Sequence, residues 1–311
     1  MRYFLSVTMF LFFCLANGQQ KTYNHQLSFT TDNDAYLLQK KDGYYTNGLF
    51  LKLSVASKKK EHKIVTSYEL GQMIFTPGSV FFYIDGGIDR PFCGYLYASY
   101  NKAIFLPNQQ LVQWAVSIGT VGQNSLGQNV QQTIHKWFNF KTFKSWDTQI
   151  DNEIGVNTSA KYAKAFLPLN TPLLKIIPEA EATLGTSFTN AKVGGFLCFG
   201  LMENIDNTNL FNAGIGRADG SKKTPTELFI YWHPQLVYQA YNATVQGGLF
   251  FKSANDITAP ICSTIYTQTF GLLFAANRFT TKLEIVYLTQ EAITQKLPQR
   301  YASIGVGYRF H

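Results

Sequence analysis

One histidine and a small group of oxygen-bearing side chains have the clearest capacity for chemistry in this sequence. His135 can act as a general base, because an unperturbed imidazole titrates at about pH 6.5. Asn33, Asp34 and Thr46 offer amide, carboxylate and hydroxyl oxygens, which calcium prefers and softer metals do not. A plainer interpretation stands beside each: the three residues can cap strand ends, and a histidine on a helix is usually only solvated.

Two common site patterns do not occur in the sequence. The serine-hydrolase motif Gly-x-Ser-x-Gly is absent, since Ser125 lacks the first glycine at that spacing. Cys93, Cys198 and Cys262 match no zinc-binding spacing and allow at most one disulfide bond. Hydrolysis by this chain would most simply use a water molecule as the nucleophile, with His135 as the base.

The N-terminus has the pattern of an export signal. Arg2 precedes an almost unbroken apolar stretch over residues 3–15, and residues 16–18 (Ala-Asn-Gly) then fit a signal-peptidase site. The stretch is too short for a membrane-spanning helix, which needs about 20 apolar residues. We therefore expect residues 1–18 to be a cleaved signal peptide and residues 19–311 to form a single domain.

The chain is basic, with a net charge of +8 over 311 residues. A basic exported protein suits anionic surfaces such as a phosphorylated glycolipid or a membrane. Nucleic acid is a poor partner for an exported chain, so we expect none. Many basic proteins bind nothing acidic, however, and the charge alone does not identify a ligand.

Apolar side chains alternate with polar ones along stretches of about ten residues. The odd positions of 49–55 are apolar, as are the even positions of 302–310 and of 112–118. A soluble β-sandwich shows the same alternation. The export signal, the 15% aromatic content and a last strand that ends at Phe310 favour instead an all-β fold, an antiparallel transmembrane β-barrel of about twelve strands.

The direction of successive strands brings distant polar residues to one rim of this predicted barrel. If the N-terminus lies in the periplasm, the first strand (24–32) runs outward and the second (46–56) returns. On this tracing residues 35–44, 75–91 and 123–148 are outer loops, and residues 57–62, with the lysines at 58–60, form an inner turn. Residues from both strands and from two of the loops then meet at the outer rim: Asn33, Asp34, Thr46, Arg90 and His135.

The third outer loop is predicted to contain a short amphipathic helix. Ser125 and Gln128 match a capping box at its start. Apolar residues then recur at helical spacing and form one face: Val130, Ile134, Trp137 and Phe138. A second face is polar and carries Gln128, Gln131, His135 and Asn139.

Six short segments carry a resemblance to a known family. They are 31–34 (TDND), 43–48 (GYYTNG), 71–77 (GQMIFTP), 89–97 (DRPFCGYLY), 127–135 (GQNVQQTIH) and 145–153 (SWDTQIDNE). Together, and in this order, they resemble the lipid A 3′-O-deacylases of bacterial outer membranes over about half of the chain. Phe92, Cys93 and Tyr95 depart from the more usual Tyr, Ala and Trp, and the loop between Asp34 and Thr46 is compact.

The resemblance implies a twelve-stranded barrel with a site between the barrel wall and a helix in an outer loop. It also implies an enzyme, a carboxylic ester hydrolase that removes the acyloxyacyl group from the 3′ position of lipid A with the help of Ca²⁺. Asn33 and Asp34 align with the Asn-Asp pair of the family, and Thr46 and His135 align with its essential threonine and histidine. Asp34 would hold the calcium ion together with oxygens from Asn33 or Thr46.

Two further residues are expected to contact the substrate. Arg90 is placed to meet a lipid A phosphate, since its planar fork suits such an oxyanion; the alternative is an ion pair with Asp89 or Asp85. Gln131, one helical turn before His135, is expected to fix the imidazole or the attacking water.

The export signal, the barrel pattern and the family resemblance also predict the partners and the location of the protein. The expected partners are lipid A or lipopolysaccharide and the outer membrane, with the site facing the outer leaflet and the protein a monomer. Two other functions remain open: a non-catalytic pore or adhesin, and a calcium-dependent phospholipase that uses the same rim.

Overall fold

The structure is a computed structural model that describes residues 23–37, 43–59, 62–78, 88–138, 145–169, 171, 173–217, 225–250 and 257–311. The predicted signal peptide, residues 1–18, lies outside the described residues. No helix in the described ranges is long and apolar enough to span a membrane.

Twelve antiparallel strands in these ranges close into one barrel, which confirms the predicted fold class. The strands are β1 (His25–Asn33), β2 (Tyr44–Lys59), β3 (His62–Thr76), β4 (Cys93–Leu106), β5 (Gln110–Val121), β6 (Glu153–Lys164), β7 (Leu174–Gly185), β8 (Phe188–Leu201), β9 (Glu227–Asn242), β10 (Thr264–Ala276), β11 (Phe279–Leu288) and β12 (Gln299–Phe310). Two α-helices lie between strands: α1 (Gly127–Phe138) and the short α2 (Ala243–Gln246). The barrel closes where β1 pairs with β12, from His25 opposite Phe310 to Asn33 opposite Ala302.

The two faces of the barrel wall differ as a membrane barrel requires. Apolar side chains point outward along each strand and are exposed; Ile118 and Ile154, for example, are 56% and 69% exposed. Many inward side chains are polar and pair across strands, as Lys52 does with Glu69 at 2.7 Å. This outer surface would be unfavourable in water, and a lipid environment accounts for it.

The second strand is longer than predicted, whereas the first has the predicted length and is shifted by one residue. β2 continues to Lys59 and β3 begins at His62, so Lys58 and Lys59 belong to a strand and the turn between these strands is shorter than predicted. Lys60 lies outside the described residues. We call the end of the barrel that holds Tyr23 and His311 the terminal end, and the end that holds α1 the loop end.

The segment 202–217, which connects β8 to β9, fills the terminal end of the barrel, and we call it the plug segment. Its side chains Ile205, Ala213 and Ile215 are fully buried. They pack in one apolar cluster with inward-facing residues of the wall, among them Leu111 and Leu273. The inside of the barrel is therefore a packed core at this end, a feature that the sequence did not reveal.

Two charged wall residues hold the plug segment by its backbone. Lys63 Nζ donates hydrogen bonds to the carbonyl oxygens of Asp206 and Ala213 at 2.7 and 2.5 Å. The Glu227 carboxylate accepts three hydrogen bonds from the segment, two of them from Asn209. Such bonds to charged groups are stronger than neutral ones, so the segment is fixed at both ends of its path.

We predict that Glu227→Ala destabilises the barrel by about 3 kcal/mol or more, because each buried donor left without an acceptor costs about 1–3 kcal/mol. Urea unfolding in liposomes, followed by heat-modifiable gel migration, measures this. Glu69→Ala is the control, since Glu69 contacts Lys52 and Tyr97 outside the plug segment and stays partly exposed. Equal losses for the two variants would contradict the role given to Glu227.

Candidate functional site

Helix α1 sits against the loop ends of β3 and β4, and a glycine makes this close approach possible. A Cβ on Gly94 would lie 3.0 Å from the Gly127 Cα and would collide with Ser125 Oγ. The helix begins at Gly127, two residues after Ser125, so Ser125 is not the N-cap that the capping box predicted. Its hydroxyl instead donates to the carbonyl of Gly122 and accepts from the Gly127 amide.

Trp146 anchors the helix from below. Its side chain is fully buried and its ring lies 5.1 Å from that of Phe92. Ile74 and Val130 complete this small cluster. The indole Nε1 also donates a hydrogen bond of 2.8 Å to Gln131 Oε1. Trp146 therefore fixes both the position of α1 on the wall and its rotation about its own axis.

The polar face that the sequence predicted for α1 points inward at Gln131 and His135, while the side chains of Phe138 and Asn139 lie outside the described residues. Gln131 and His135 are 4% and 5% exposed. Of the predicted apolar residues, Trp137 faces outward and is 78% exposed, whereas Val130 is partly buried against the Trp146 cluster. An exposed apolar face is unfavourable in water, but here it continues the lipid-facing surface of the barrel.

A groove of about 730 Å³ runs between α1 and the outer wall, and we call it the helix groove. It is lined by Phe29, Thr31, Asn33, Ala35, Tyr36, Asn47 and Leu49 from the wall and the first loop, and by Leu126, Asn129, Val130, Thr133, Ile134 and Trp137 from the helix side. Phe29 and Leu49 lie deeper along the wall, whereas Asn33 and Asn47 lie at the loop end. The groove is thus apolar where it enters the membrane and polar at its upper end.

The structure brings Asn33, Asp34 and Thr46 together at this polar end. Asn33 lies opposite Asn47 in the β1–β2 ladder, Asp34 follows directly, and Thr46 precedes Asn47. Asn33 Oδ1 accepts from the Ala35 amide at 2.7 Å, and Asp34 Oδ2 accepts from the Gly43 amide at 3.1 Å. Part of their hydrogen-bonding capacity therefore shapes the first loop.

Thr46 occupies a β-bulge, where the register between β2 and β3 shifts. The extra residue lets its two neighbours face opposite sides of the wall. Tyr45 turns into the barrel, where its hydroxyl donates to Asp32 at 2.8 Å, while Asn47 lines the helix groove. Thr46 itself is buried, with its hydroxyl 3.4 Å from the Ile74 carbonyl oxygen.

The donor set at the polar end fits a hard cation. Asn47 Oδ1 is buried and has no hydrogen-bond partner among the described residues. With Asn33, Asp34 and Thr46 it makes an oxygen-only group that contains one carboxylate. No three His, Cys, Asp or Glu side chains in the described ranges come together as a metal site. Asn47 was not predicted as a site residue. The sequence placed it only in the second strand, directly after Thr46.

Gln131 and His135 lie one helical turn apart on the buried face of α1. Gln131 Nε2 is buried, and among the described residues it has no hydrogen-bond partner. Its amide is held in place through the bond from Trp146 to its oxygen. The expected role of Gln131, to fix the imidazole or the attacking water, stays a prediction.

Arg90 lies away from the helix groove, inside the loop end of the barrel. It is fully buried, with its guanidinium 4.1 Å from the Phe75 ring. Its Nη2 donates to Thr244 Oγ1 at 3.0 Å and pairs with Glu291 at 3.3 Å. Burial lowers the pKa of Arg90, and the carboxylate of Glu291 opposes that shift.

The ion-pair partner of Arg90 is thus Glu291, a residue distant in sequence. Asp89 bonds instead to the Tyr44 hydroxyl at 2.7 Å, and Asp85 lies outside the described residues. Arg90 joins three loops, and in this position its guanidinium stabilises the loop end. Arg90 does not line the helix groove, and its contact with a lipid A phosphate stays a prediction.

A family model for the outer membrane protein LpxR matches residues 4–310, almost the whole chain. The chain belongs to the LpxR family. The structure of LpxR from Salmonella typhimurium superposes with a TM-score of 0.73 at 19% sequence identity, covering 92% of this chain and 100% of that one. The match extends the family assignment well beyond the six segments between residues 31 and 153, to the plug segment and the terminal strands.

Other barrels share less with this LpxR family member. The β domain of the Bordetella autotransporter Brka gives a TM-score of 0.47 at 11% identity, over 93% of this chain and 99% of that one. The NanC porin gives 0.42 at 11% identity, over 91% and 98%. No curated protein matches the chain significantly.

We predict that Gly94→Ala loosens α1 without unfolding the barrel, because overpacking of this kind costs about 1–3 kcal/mol. Hydrogen–deuterium exchange of residues 127–138 should become about tenfold faster. Gly305→Ala is the matched control, since a Cβ there would lie 3.2 Å from Thr30 Oγ1 and no nearer than 3.6 Å to Lys282, with no collision. Unchanged exchange in the Gly94→Ala helix would disprove the tight contact.

Proposed function

We propose that this protein is an outer-membrane lipid A deacylase that hydrolyses the ester of the 3′-acyloxyacyl group with the help of calcium. The observation that carries the proposal is the helix groove. An apolar channel on the lipid-facing wall ends at a cluster of buried polar groups, as an acyl ester in a membrane requires. The resemblance of the six segments between residues 31 and 153 to the lipid A 3′-O-deacylases supports the choice of lipid A.

The chain's own residues supply the steps of hydrolysis. The acyl chain lies along Phe29, Leu49 and Trp137, and the ester reaches the polar end beside Asn33. His135 accepts a proton as the water oxygen attacks the carbonyl carbon. The bond between the acyl carbon and the sugar oxygen then breaks, and the imidazolium returns the proton to that oxygen. The free acid leaves along the groove, and a sugar hydroxyl remains.

Asp34 would hold the calcium ion, with oxygens from Asn33, Thr46 and Asn47. A bound calcium ion would polarise the ester carbonyl and stabilise the negative charge of the tetrahedral intermediate. Gln131 is suited to orient the His135 imidazole, since its Nε2, without a hydrogen-bond partner in the part of the chain that the structure describes, lies on the same buried helix face. With this donor set the site needs no serine nucleophile.

One structural feature argues against the pore, and an experiment separates the phospholipase. A diffusion pore needs an open lumen, whereas the plug segment packs the terminal end with buried apolar side chains. A phospholipase would use the same groove, and the turnover of glycerophospholipid against lipid A in detergent separates the two. The loop end would face outward, which places the helix groove at the outer leaflet, where lipopolysaccharide lies.

We expect His135→Ala to lower lipid A deacylation by about 10²-fold or more, the usual contribution of a general base, while the barrel folds normally. Mass spectrometry of lipid A and heat-modifiable migration measure the two properties. Gln132→Ala, three residues earlier on α1, is the control, and near wild-type turnover by folded His135→Ala would rule out the role.

We expect a chelator to abolish activity and calcium to restore it. Asp34→Asn removes the single carboxylate of the cluster and should raise the calcium concentration needed for half-maximal activity by about tenfold or more. Asp151→Asn changes an exposed aspartate in the segment that joins α1 to β6, and it should leave the calcium response unchanged. Full turnover in excess chelator would remove the metal from the mechanism.

A further inference from the structure

Two apolar hollows lie on the lipid-facing wall, and Tyr36 borders both of them. One is the helix groove. The other, which we call the distal groove, has a volume of about 710 Å³ and extends over strands β8 to β12. Its lining includes Leu272, Leu283 and Ile285, which point outward and are 38%, 43% and 53% exposed. Each hollow has the size of a ligand pocket, about 300–1,000 Å³.

Tyr36 stands on the outer wall between the two grooves. It belongs to a short 3-10 turn, Asp34–Leu37, that packs against β12. Its hydroxyl shares a hydrogen bond of 3.1 Å with Thr31 Oγ1, which holds the side chain down on β1. The same turn begins with Asp34 of the candidate site. A lipid whose ester lies at Asp34 therefore has the distal groove within reach on the other side of Tyr36.

We infer that the distal groove holds a second acyl chain of the same lipid A molecule, an inference that rests on the proposed function. Lipid A carries several acyl chains on one sugar headgroup. Once one chain lies in the helix groove, its neighbours are tethered beside the wall at a high effective concentration. The distal groove is the apolar surface that this tether brings them to.

The distal groove contributes orientation more than affinity. A chain that leaves the bilayer for this groove gains little from the hydrophobic effect, because both surroundings are apolar. What it gains is close packing against a shaped surface. Binding of a part of the substrate that does not react then fixes which ester reaches His135, so it raises selectivity and turnover. The groove thus distinguishes lipid A from esters with a single chain.

Leu272→Trp tests this by filling the distal groove. Leu272 lies on β10, and β11 and β12 separate it from β1, which leads to the candidate site. Leu236→Trp is the matched control, because Leu236 is lipid-facing and 51% exposed on β9 but does not line either groove. Two substrates are compared in detergent: hexa-acylated lipid A, and a sugar ester that carries only the scissile acyl group. Turnover is measured as kcat/KM, and binding to the folded protein by native mass spectrometry.

We expect Leu272→Trp to lower kcat/KM for lipid A by about tenfold, the effect of a misfitting group in an apolar pocket, and to weaken lipid A binding. The single-chain ester should be unaffected, and Leu236→Trp should match the wild type on both substrates. Equal effects on the two substrates, or no difference from Leu236→Trp in binding and turnover, would overturn the inference. Weaker lipid A binding by Leu272→Trp in a protein that hydrolyses neither ester would support the groove and refute the proposed function.

Discussion

The structure depends on the pairing of β1 with β12. Within a membrane every backbone N–H and C=O must find a partner in the protein, so the sheet has to close on itself. The register of this closure sets Asn33 opposite Ala302, and the β1–β2 ladder sets Asn33 opposite Asn47. The polar end of the helix groove is therefore fixed by the same hydrogen bonds that make the barrel stable in lipid.

Alternation with period two predicted the strands well, because one face of each strand meets lipid and the other meets polar groups. It predicted their ends poorly. Ile74 and Phe75 extend β3, but both are buried, so the polar–apolar alternation stops before them. Ile74 is covered by α1 on one side of the wall and Phe75 by Arg90 on the other. The plug segment and the Arg90–Glu291 pair were also beyond prediction, because each depends on contacts between residues far apart in the sequence.

The candidate site was predicted in part for a similar reason. Strand direction alone placed Asn33, Asp34 and Thr46 at one rim, and the spacing of His135 and Gln131 placed both on one helix face. Spacing could not show which face of the helix would be buried. That depends on Trp146, which follows the helix in sequence and packs beneath it, and on Gly94, whose missing side chain lets the helix approach the wall.

The helix groove opens sideways into the membrane and not through the barrel, and this has a consequence for how molecules travel. A ligand of this groove arrives by lateral diffusion within one leaflet and leaves by the same route. The search takes place in two dimensions, and the fluidity and composition of the leaflet govern how often a lipid is met. An acyl chain released there stays dissolved in the lipid around the barrel, since the packed terminal end offers it no path to the other side.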